Sequence, residues 1–254
     1  MKSAAIVALA LTVAVDLPGC ARSDQAASTM TVAAAASLRD LLERTAPLFE
    51  AAHPGTHLAF SFEASSTLSR QIESGGEYQV FLSADRDNVD RVASLTEARA
   101  TTAILSNTLV LVGREGLTAK VASPADLKST AGRIALAGAK VPVGRYARAY
   151  LTEKHLLQEL EPRIVTADDV RMSLAMVEAG STDFAFVYLT DARSAQRCRL
   201  LWTAAREDDP GIVYVGTLIT SFKTRLAEDY LHWLRGAEFL EVAQRMGFLP
   251  PPGE

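Results

Sequence analysis

Beyond residue 29 the chain switches repeatedly between two spacings of its apolar residues. Residues 31–36 (TVAAAA) form an apolar run of strand length, and Leu38, Leu41, Leu42, Thr45, Leu48 and Phe49 then recur at helical spacing. Ser37 stands between the two as a candidate N-cap, and His53-Pro54-Gly55 predicts the end of the helix. The next unit repeats the theme. Residues 58–62 (LAFSF) alternate as a strand, Ala64-Ser65-Ser66-Thr67 opens a helix through Leu68 and Ile72, and Gly75-Gly76 closes it. Residues 80–82 predict a third strand, 88–95 a short helix, and 107–113 (NTLVLVG) a fully apolar strand.

Further along, Pro124-Ala125-Asp126-Leu127 predicts a helical turn and residues 133–137 (RIALA) a strand. Pro142-Val143-Gly144 leads into a helix over 145–155 that has Tyr146, Ala149, Tyr150 and Leu151 on its apolar face. Residues 164–165 are extended, and Asp168-Asp169 caps a helix over 170–178 that Gly180 ends. Residues 184–188 (FAFVY) read as a buried strand, followed by Thr190-Asp191 and another helix. Residues 212–220 give the last long strand, and 225–245 one helix packed through Trp233, Phe239 and Leu240. Strands that alternate with helices predict an α/β architecture with mostly parallel pairing.

Composition narrows the possibilities without choosing among them. A chain of 254 residues fits one large domain or two lobes of about 100 residues each. With 48% hydrophobic and 22% charged residues, neither disorder nor a polytopic membrane protein is indicated. The formal net charge is −4 and the basic residues are scattered, so there is no electrostatic footprint for nucleic acid. The same charge means that anion specificity would have to come from local dipoles and hydrogen bonds.

The first twenty residues read as an export signal. Met1-Lys2 precedes an apolar run over 4–15, which is too short to cross a ~30 Å hydrocarbon core but suits a signal peptide. Leu17-Pro18-Gly19-Cys20 resembles a lipobox, in which Cys20 would be diacylated and tether the protein to a membrane; Asp16 and Pro18 depart from that pattern, and ordinary cleavage nearby is the alternative. Residues 21–29 (ARSDQAAST) read as a linker. The expected location is therefore outside the cytoplasm. Cys20 and Cys198 are the only cysteines, too few for a disulfide framework or a four-cysteine metal site, and Cys198 is expected to be a thiol without chemistry.

The junctions from strand to helix are rich in small and hydroxyl residues: Ser37, Ser65-Ser66-Thr67, Val143-Gly144 and Asp169-Val170. Helix N-termini present unpaired N–H groups and partial positive charge, and in open α/β sheets they gather at the carboxyl ends of the strands. Several such ends facing one cleft would trap an anion. Each feature also has a plain structural role. A serine before an amphipathic run is ordinarily an N-cap worth about 1 kcal/mol, and Tyr188 at the end of a strand is ordinarily a core ring.

Taken in order, the motifs carry a resemblance. Residues 31–38 (TVAAAASL), 64–72 (ASSTLSRQI), 80–85 (VFLSAD), 107–112 (NTLVLV), 141–147 (VPVGRYA), 169–171 (DVR), 187–192 (VYLTDA) and Met246-Gly247-Phe248 together resemble the periplasmic molybdate-binding protein family, over nearly the whole mature chain. The resemblance implies an α/β, two-lobed periplasmic-binding-protein fold, each lobe a mostly parallel sheet flanked by helices. Residues 30–107 plus 217–254 would form the first lobe and 108–216 the second, with hinge crossings near 106–109 and 214–218. It also implies a ligand set: the hydroxyl and amide of Ser37 and of Ser65, the amides of Val143 and Val170, and the Tyr188 hydroxyl. Molybdate or tungstate would be held as an intact oxyanion, its metal reached only through its oxygens, with no cofactor. ABC permease and ATPase subunits are the implied partners of a monomeric binding component.

Two departures from the family bear on that expectation. Tyr78-Gln79 stands where the family commonly has Ala-Asp, which removes a carboxylate expected near the cleft edge, and Val143 replaces a smaller residue and could narrow the pocket. Within the binding class, a receptor for sulfate, phosphate or thiosulfate remains open. Catalysis by Ser37 or Ser65 would need a base, but His53, His57, His155 and His232 fall at helix ends, turns or helix surfaces, and no Gly-x-Ser-x-Gly elbow is present. A ligand-sensing regulator would need a DNA-binding motif, which is lacking, so the expectation is a binding protein and not an enzyme.

Overall fold

The first strand shows why the fold forms as it does. β1 (Ser28–Ala35) carries Met30, Val32, Ala33 and Ala34 with no exposure on either face, as a strand must when it lies inside a sheet covered on both sides. The structure, a computed structural model, describes residues 28–252; the export signal with Cys20 and residues 21–27 of the expected linker fall outside the described residues, whereas Ser28 and Thr29, expected to end that linker, already pair with Thr56 and His57 as the start of β1. β1 pairs in parallel with β2 (Thr56–Glu63) and β3 (Val80–Ser83). Two further strands, β4 (Thr102–Ser106) and β10 (Val213–Leu218), complete a sheet of order β2-β1-β3-β10-β4. The second sheet has the order β7-β6-β8-β5-β9, from β5 (Leu109–Arg114), β6 (Ile134–Ala137), β7 (Ile164–Ala167), β8 (Phe184–Tyr188) and β9 (Cys198–Thr203).

Two sheets give two lobes, and each is mixed. β2-β1-β3 and β7-β6-β8 pair in parallel as expected, whereas β10 runs antiparallel to β3 and β4, and β5 antiparallel to β8 and β9. The exceptions have a common cause: β5 and β10 are the strands that enter each sheet from the other lobe, so they arrive without the crossover helix that parallel pairing requires. The chain leaves the first sheet at β4, passes Asn107 and Thr108, and enters β5. On the return it is already paired in the first sheet from Val213, earlier than a boundary between residues 216 and 217 would have it.

Helices cover both sheets: α1 (Arg39–Ala52), α2 (Ser65–Glu73), α3 (Arg86–Arg91), α4 (Pro142–Glu153), α5 (Leu157–Leu160), α6 (Val170–Glu178), α7 (Leu189–Ser194), α8 (Arg225–Trp233) and α9 (Ala237–Met246). The single helix expected over 225–245 is broken at residues 234–236, where Gly236 becomes the N-cap of α9. The break lets Trp233 pack at 5.4 Å from Phe239 and 5.6 Å from Phe49, closing the C-terminal helices onto α1. Beyond α9, Ser106 and Leu249 exchange two backbone hydrogen bonds of 2.9 Å, which fix the chain's end beside the first crossing. Among the described residues no helix is long and apolar enough to cross a membrane.

Candidate functional site

The carboxyl ends of β1, β2, β6, β7 and β8 converge on one recess between the lobes. It is lined by Ser37, Ser65, Val143, Val170 and Tyr188, with small neighbours such as Ala36, Ala64 and Ala84 letting backbone come close. Both sheets thus present their strand-to-helix junctions to a shared space, the placement expected for a ligand in open α/β sheets. The first N–H groups of α2, α4 and α6 have no partner inside their own helices and bring partial positive charge to the recess.

The first lobe contributes the two serines. Ser37 is not the side-chain cap its position suggested. It lies in a 3-10 turn (Ala36–Leu38) that precedes α1, with no cap hydrogen bond, and its hydroxyl sits 2.9 Å from the Tyr214 hydroxyl. Tyr214 in turn accepts a bond of 3.3 Å from the Asn107 side-chain amide, which also donates to Thr190 at 2.9 Å. Asn107 can only donate from its nitrogen, so the Tyr214 proton is left to point at Ser37, and the Ser37 proton is left for the recess. Burial holds the Tyr214 phenol far above its ordinary range, with Asp191 adding to it, so this proton is retained.

Ser65 is arranged by the same logic. It is the first residue of α2, is 1% exposed, and its oxygen accepts a 3.0 Å bond from the Ala84 backbone N–H. With that lone pair engaged from the protein side, the Ser65 proton is free to donate into the recess.

The second lobe contributes amides and a phenol. Val143 follows Pro142, the first residue of α4, and its side chain is buried in the hydrophobic core, so it takes part in the core and not only in the pocket wall. Gly144 makes this approach possible. A Cβ there would lie 2.2 Å from the Ala137 carbonyl oxygen and 2.4 Å from that of Gly138, so only glycine lets α4 begin against the end of β6. Val170 opens α6 behind Asp169, whose carboxylate caps the helix by accepting from the Met172 N–H at 2.8 Å. The Tyr188 hydroxyl is buried and has no hydrogen-bond partner among the described residues. Burial, with Tyr214 and Tyr146 adding to it, holds its phenol well above 10, so it meets the recess as a donor.

Among the described residues no arginine or lysine lines the recess. The two arginines nearest in sequence to the amides, Arg145 and Arg171, are engaged by Asp85, Asp87, Asp40 and Asp191. Two carboxylates line it, Asp169 from a junction the sequence marks and held as a helix cap, and Glu63, which no sequence motif marks. The departure at Gln79 lies elsewhere. Its side-chain oxygen accepts from the Thr31 N–H at 2.6 Å and the Thr31 hydroxyl at 2.7 Å, midway along β1. Four residues at ~3.3 Å each put it about 13 Å from the recess, so that substitution does not alter the cleft.

The remaining candidates are structural. None of the four histidines lines the recess; His53 bonds the Phe49 carbonyl oxygen at 3.0 Å and His57 lies 3.3 Å from Glu50. Cys198 is half-buried on β9, and burial pushes its thiol up to about 11, which keeps it protonated and unreactive. Among the described residues no group of three or more His, Cys, Asp or Glu side chains could hold a metal ion.

Residues 30–249 match the model of a family described as bacterial extracellular solute-binding protein. The chain is 31% identical over 229 residues to the molybdate-binding protein ModA of Escherichia coli, with 86% of this chain and 88% of the relative covered. Among solved structures it resembles the periplasmic molybdate-binding protein of Azotobacter vinelandii (TM-score 0.78, 23% identity, covering 88% of this chain and 100% of that one). It also resembles the sulfate-binding protein SubI of Mycobacterium tuberculosis (TM-score 0.76, 14% identity, covering 88% and 87%). At these identities the two structures speak for the fold alone, a two-lobed α/β architecture.

Proposed function

This chain belongs to the bacterial extracellular solute-binding proteins, a family of binding components and not of enzymes, and from that premise we propose that it captures molybdate, and equally tungstate, for an ABC importer. The oxyanion sits in the interlobe recess and accepts hydrogen bonds from the hydroxyls and amides of Ser37 and Ser65, the amides of Val143 and Val170, and the Tyr188 hydroxyl. The observation that carries this reading is the Tyr188 hydroxyl, buried and unpartnered beside two serines whose oxygens are already engaged from behind. Such a recess asks for acceptors.

Hydrogen bonds to a charged group contribute about 1.5–3 kcal/mol each, so these seven donors give roughly 10–20 kcal/mol against the ~8 kcal/mol that micromolar affinity requires, leaving a margin for desolvation and closure. Because the donors are fixed by helix starts, the site selects by oxyanion radius, and the smaller sulfate loses bonds that molybdate keeps. The loaded protein delivers its cargo to permease and ATPase subunits. The lobes divide at residues 107–108 and again just before Val213. Export places the protein outside the cytoplasm, with lipidation at Cys20 as its tether.

A second reading, hydrogen phosphate as ligand, draws on Glu63 and Asp169, either of which could accept the phosphate proton. Melting curves separate the two. A ligand that binds only the folded state at 100 times its Kd stabilises it by about 2.7 kcal/mol. Molybdate and tungstate are expected to raise the melting temperature and sulfate and phosphate to leave it unchanged; a shift with phosphate alone would transfer the assignment to phosphate.

A further inference from the structure

The Met246-Gly247-Phe248 motif ends α9, yet none of its residues lines the recess. Gly247 takes the left-handed backbone (φ 101°) that closes the helix. Its N–H returns to the Gln244 carbonyl oxygen and that of Phe248 to Ala243, both at 3.0 Å. Among the described residues no backbone N–H reaches the Arg245 and Met246 carbonyl oxygens, so the helix end keeps its partial negative charge. What lies on it comes from the other lobe. A Cβ on Gly247 would sit 2.8 Å from Cζ of Arg193 and 3.0 Å from its Cδ, so any larger residue would push that guanidinium off the turn.

The contact stands between the supports of two ligand hydroxyls. Arg193 lies in α7, the short helix that begins directly after Tyr188. On the other side Phe248 packs edge-on against Tyr214 at 5.6 Å, and Tyr214 meets the Ser37 hydroxyl. Leu249 is bonded both ways to Ser106, which fixes the turn in the first lobe, so it cannot follow the second lobe when the two part. We propose, building on the oxyanion reading above, that Arg193 is a positioning residue: seated on the Met246-Gly247-Phe248 turn, it holds the Tyr188 end of the second lobe over the captured anion and so governs how slowly the closed cleft releases it.

The surrounding charges fix the kind of hold this is. Of the arginines that border the surface hollow beside the turn, Arg171 is neutralised by Asp40 and Asp191 and Arg245 by Glu241, whereas Arg44 and Arg193 make no ion pair among the described residues. Arg193 therefore owes its place to the end of α9 and to packing on Gly247, with Arg44 opposing it. The hold is modest, and a binding component that must give up its cargo needs no more. Because the contact forms only as the lobes close, it slows escape without changing the encounter. Arg193 does not line the recess, so selection among oxyanions stays with the uncharged donors.

Radiolabelled molybdate, chased from the purified protein by excess unlabelled molybdate and followed by rapid filtration, tests this. Arg193→Met keeps an extended apolar stem and loses the guanidinium. Release is expected to quicken about two- to five-fold, the range for a cation at a helix C-terminus, with association and the ligand-free melting temperature unchanged. Arg193→Lys keeps the charge and is expected to recover most of the slow release. Gly247→Ala strains the left-handed turn as well as displacing the guanidinium, so it is compared with the double variant that also carries Arg193→Met. Once Gly247→Ala is present, the Arg193 change is expected to add nothing to the release rate. Release by Arg193→Met at the wild-type rate, or additive effects in the double variant, would overturn the proposal while leaving the oxyanion reading in place. A fall in the ligand-free melting temperature of Arg193→Met would assign the residue to folding and likewise overturn it. Absence of molybdate binding by the wild type would overturn both.

Discussion

The Tyr214 hydroxyl lies 2.9 Å from the Ser37 hydroxyl, although Tyr214 itself does not line the recess. Its ring belongs to β10, the strand returning from the second lobe, and stacks edge-on against Tyr188 at 6.0 Å. One aromatic pair therefore connects the hydroxyl donors of the two lobes, and Asn107, at the other crossing, sets the direction of the chain of donors.

That relationship predicts an effect at a distance. Tyr214→Phe leaves Ser37 in place but removes the donor that directs its proton toward the ligand. We expect molybdate affinity to fall by about 1 kcal/mol, roughly five-fold in Kd. Titration calorimetry of the variant checks this, and an unchanged Kd would show that the Ser37 proton needs no direction.

Ser65→Ala and Tyr188→Phe separate binding from stability. The Ser65 change removes a donor to the anion and also leaves the Ala84 N–H without its acceptor. Affinity should fall by about 1.5–3 kcal/mol, and stability by about 1–3 kcal/mol, with the fold retained. Tyr188→Phe removes a hydroxyl that bonds none of the described residues. Its melting temperature without ligand should match the wild type, while affinity drops by about 1.5 kcal/mol, roughly ten-fold. Paired calorimetry and melting curves read both quantities.

Asp191 sets a pH dependence. Burial pushes its carboxyl up from 3.8 to about 7, with Arg171 opposing the rise and Asp40 and Asp169 adding to it. Between about pH 4 and 7 the folded protein therefore holds a proton that the unfolded chain releases. Stability from this group is fully present below pH 4 and is lost as pH climbs through 7, at a rate of at most about 1.4 kcal/mol per pH unit. Asp191→Asn should remove that slope. Denaturant unfolding of both proteins from pH 4.5 to 8 measures it, and parallel curves would contradict the assignment.

Much of this was legible in the chain, and the parts that were not share a physical cause. The repeated handover from apolar strand through serine to amphipathic helix marks β1, β2 and their helices, because burial on both faces leaves a continuous apolar run that local spacing reveals. Ser37, Ser65, Val143, Val170 and Tyr188 could be listed from sequence, and the structure arranges all five around one recess. Two strands carry no such mark: β4 (Thr102–Ser106) and β9 (Cys198–Thr203) lie at sheet edges, the first burying three residues in succession and the second largely exposed, so neither shows clean alternation. Asn107 and Tyr214 escaped notice as site residues because their role comes from pairing between positions 107 residues apart, which no local pattern records. Ser37 stands where a cap is expected but does not cap, because a 3-10 turn separates it from the helix proper. The break near Gly236 did have a local sign, the glycine itself, overridden by the helical spacing on either side.

The most direct test of the central claim is a crystal of the protein grown with molybdate, with diffraction collected on both sides of the molybdenum absorption edge. The account predicts one strong anomalous peak in the interlobe recess, its oxygens within hydrogen-bond distance of the Ser37, Ser65 and Tyr188 hydroxyls and of the Val143 and Val170 amides, with Arg145 and Arg171 still on their aspartates. A peak outside the recess, or one coordinated by either guanidinium group, would contradict it.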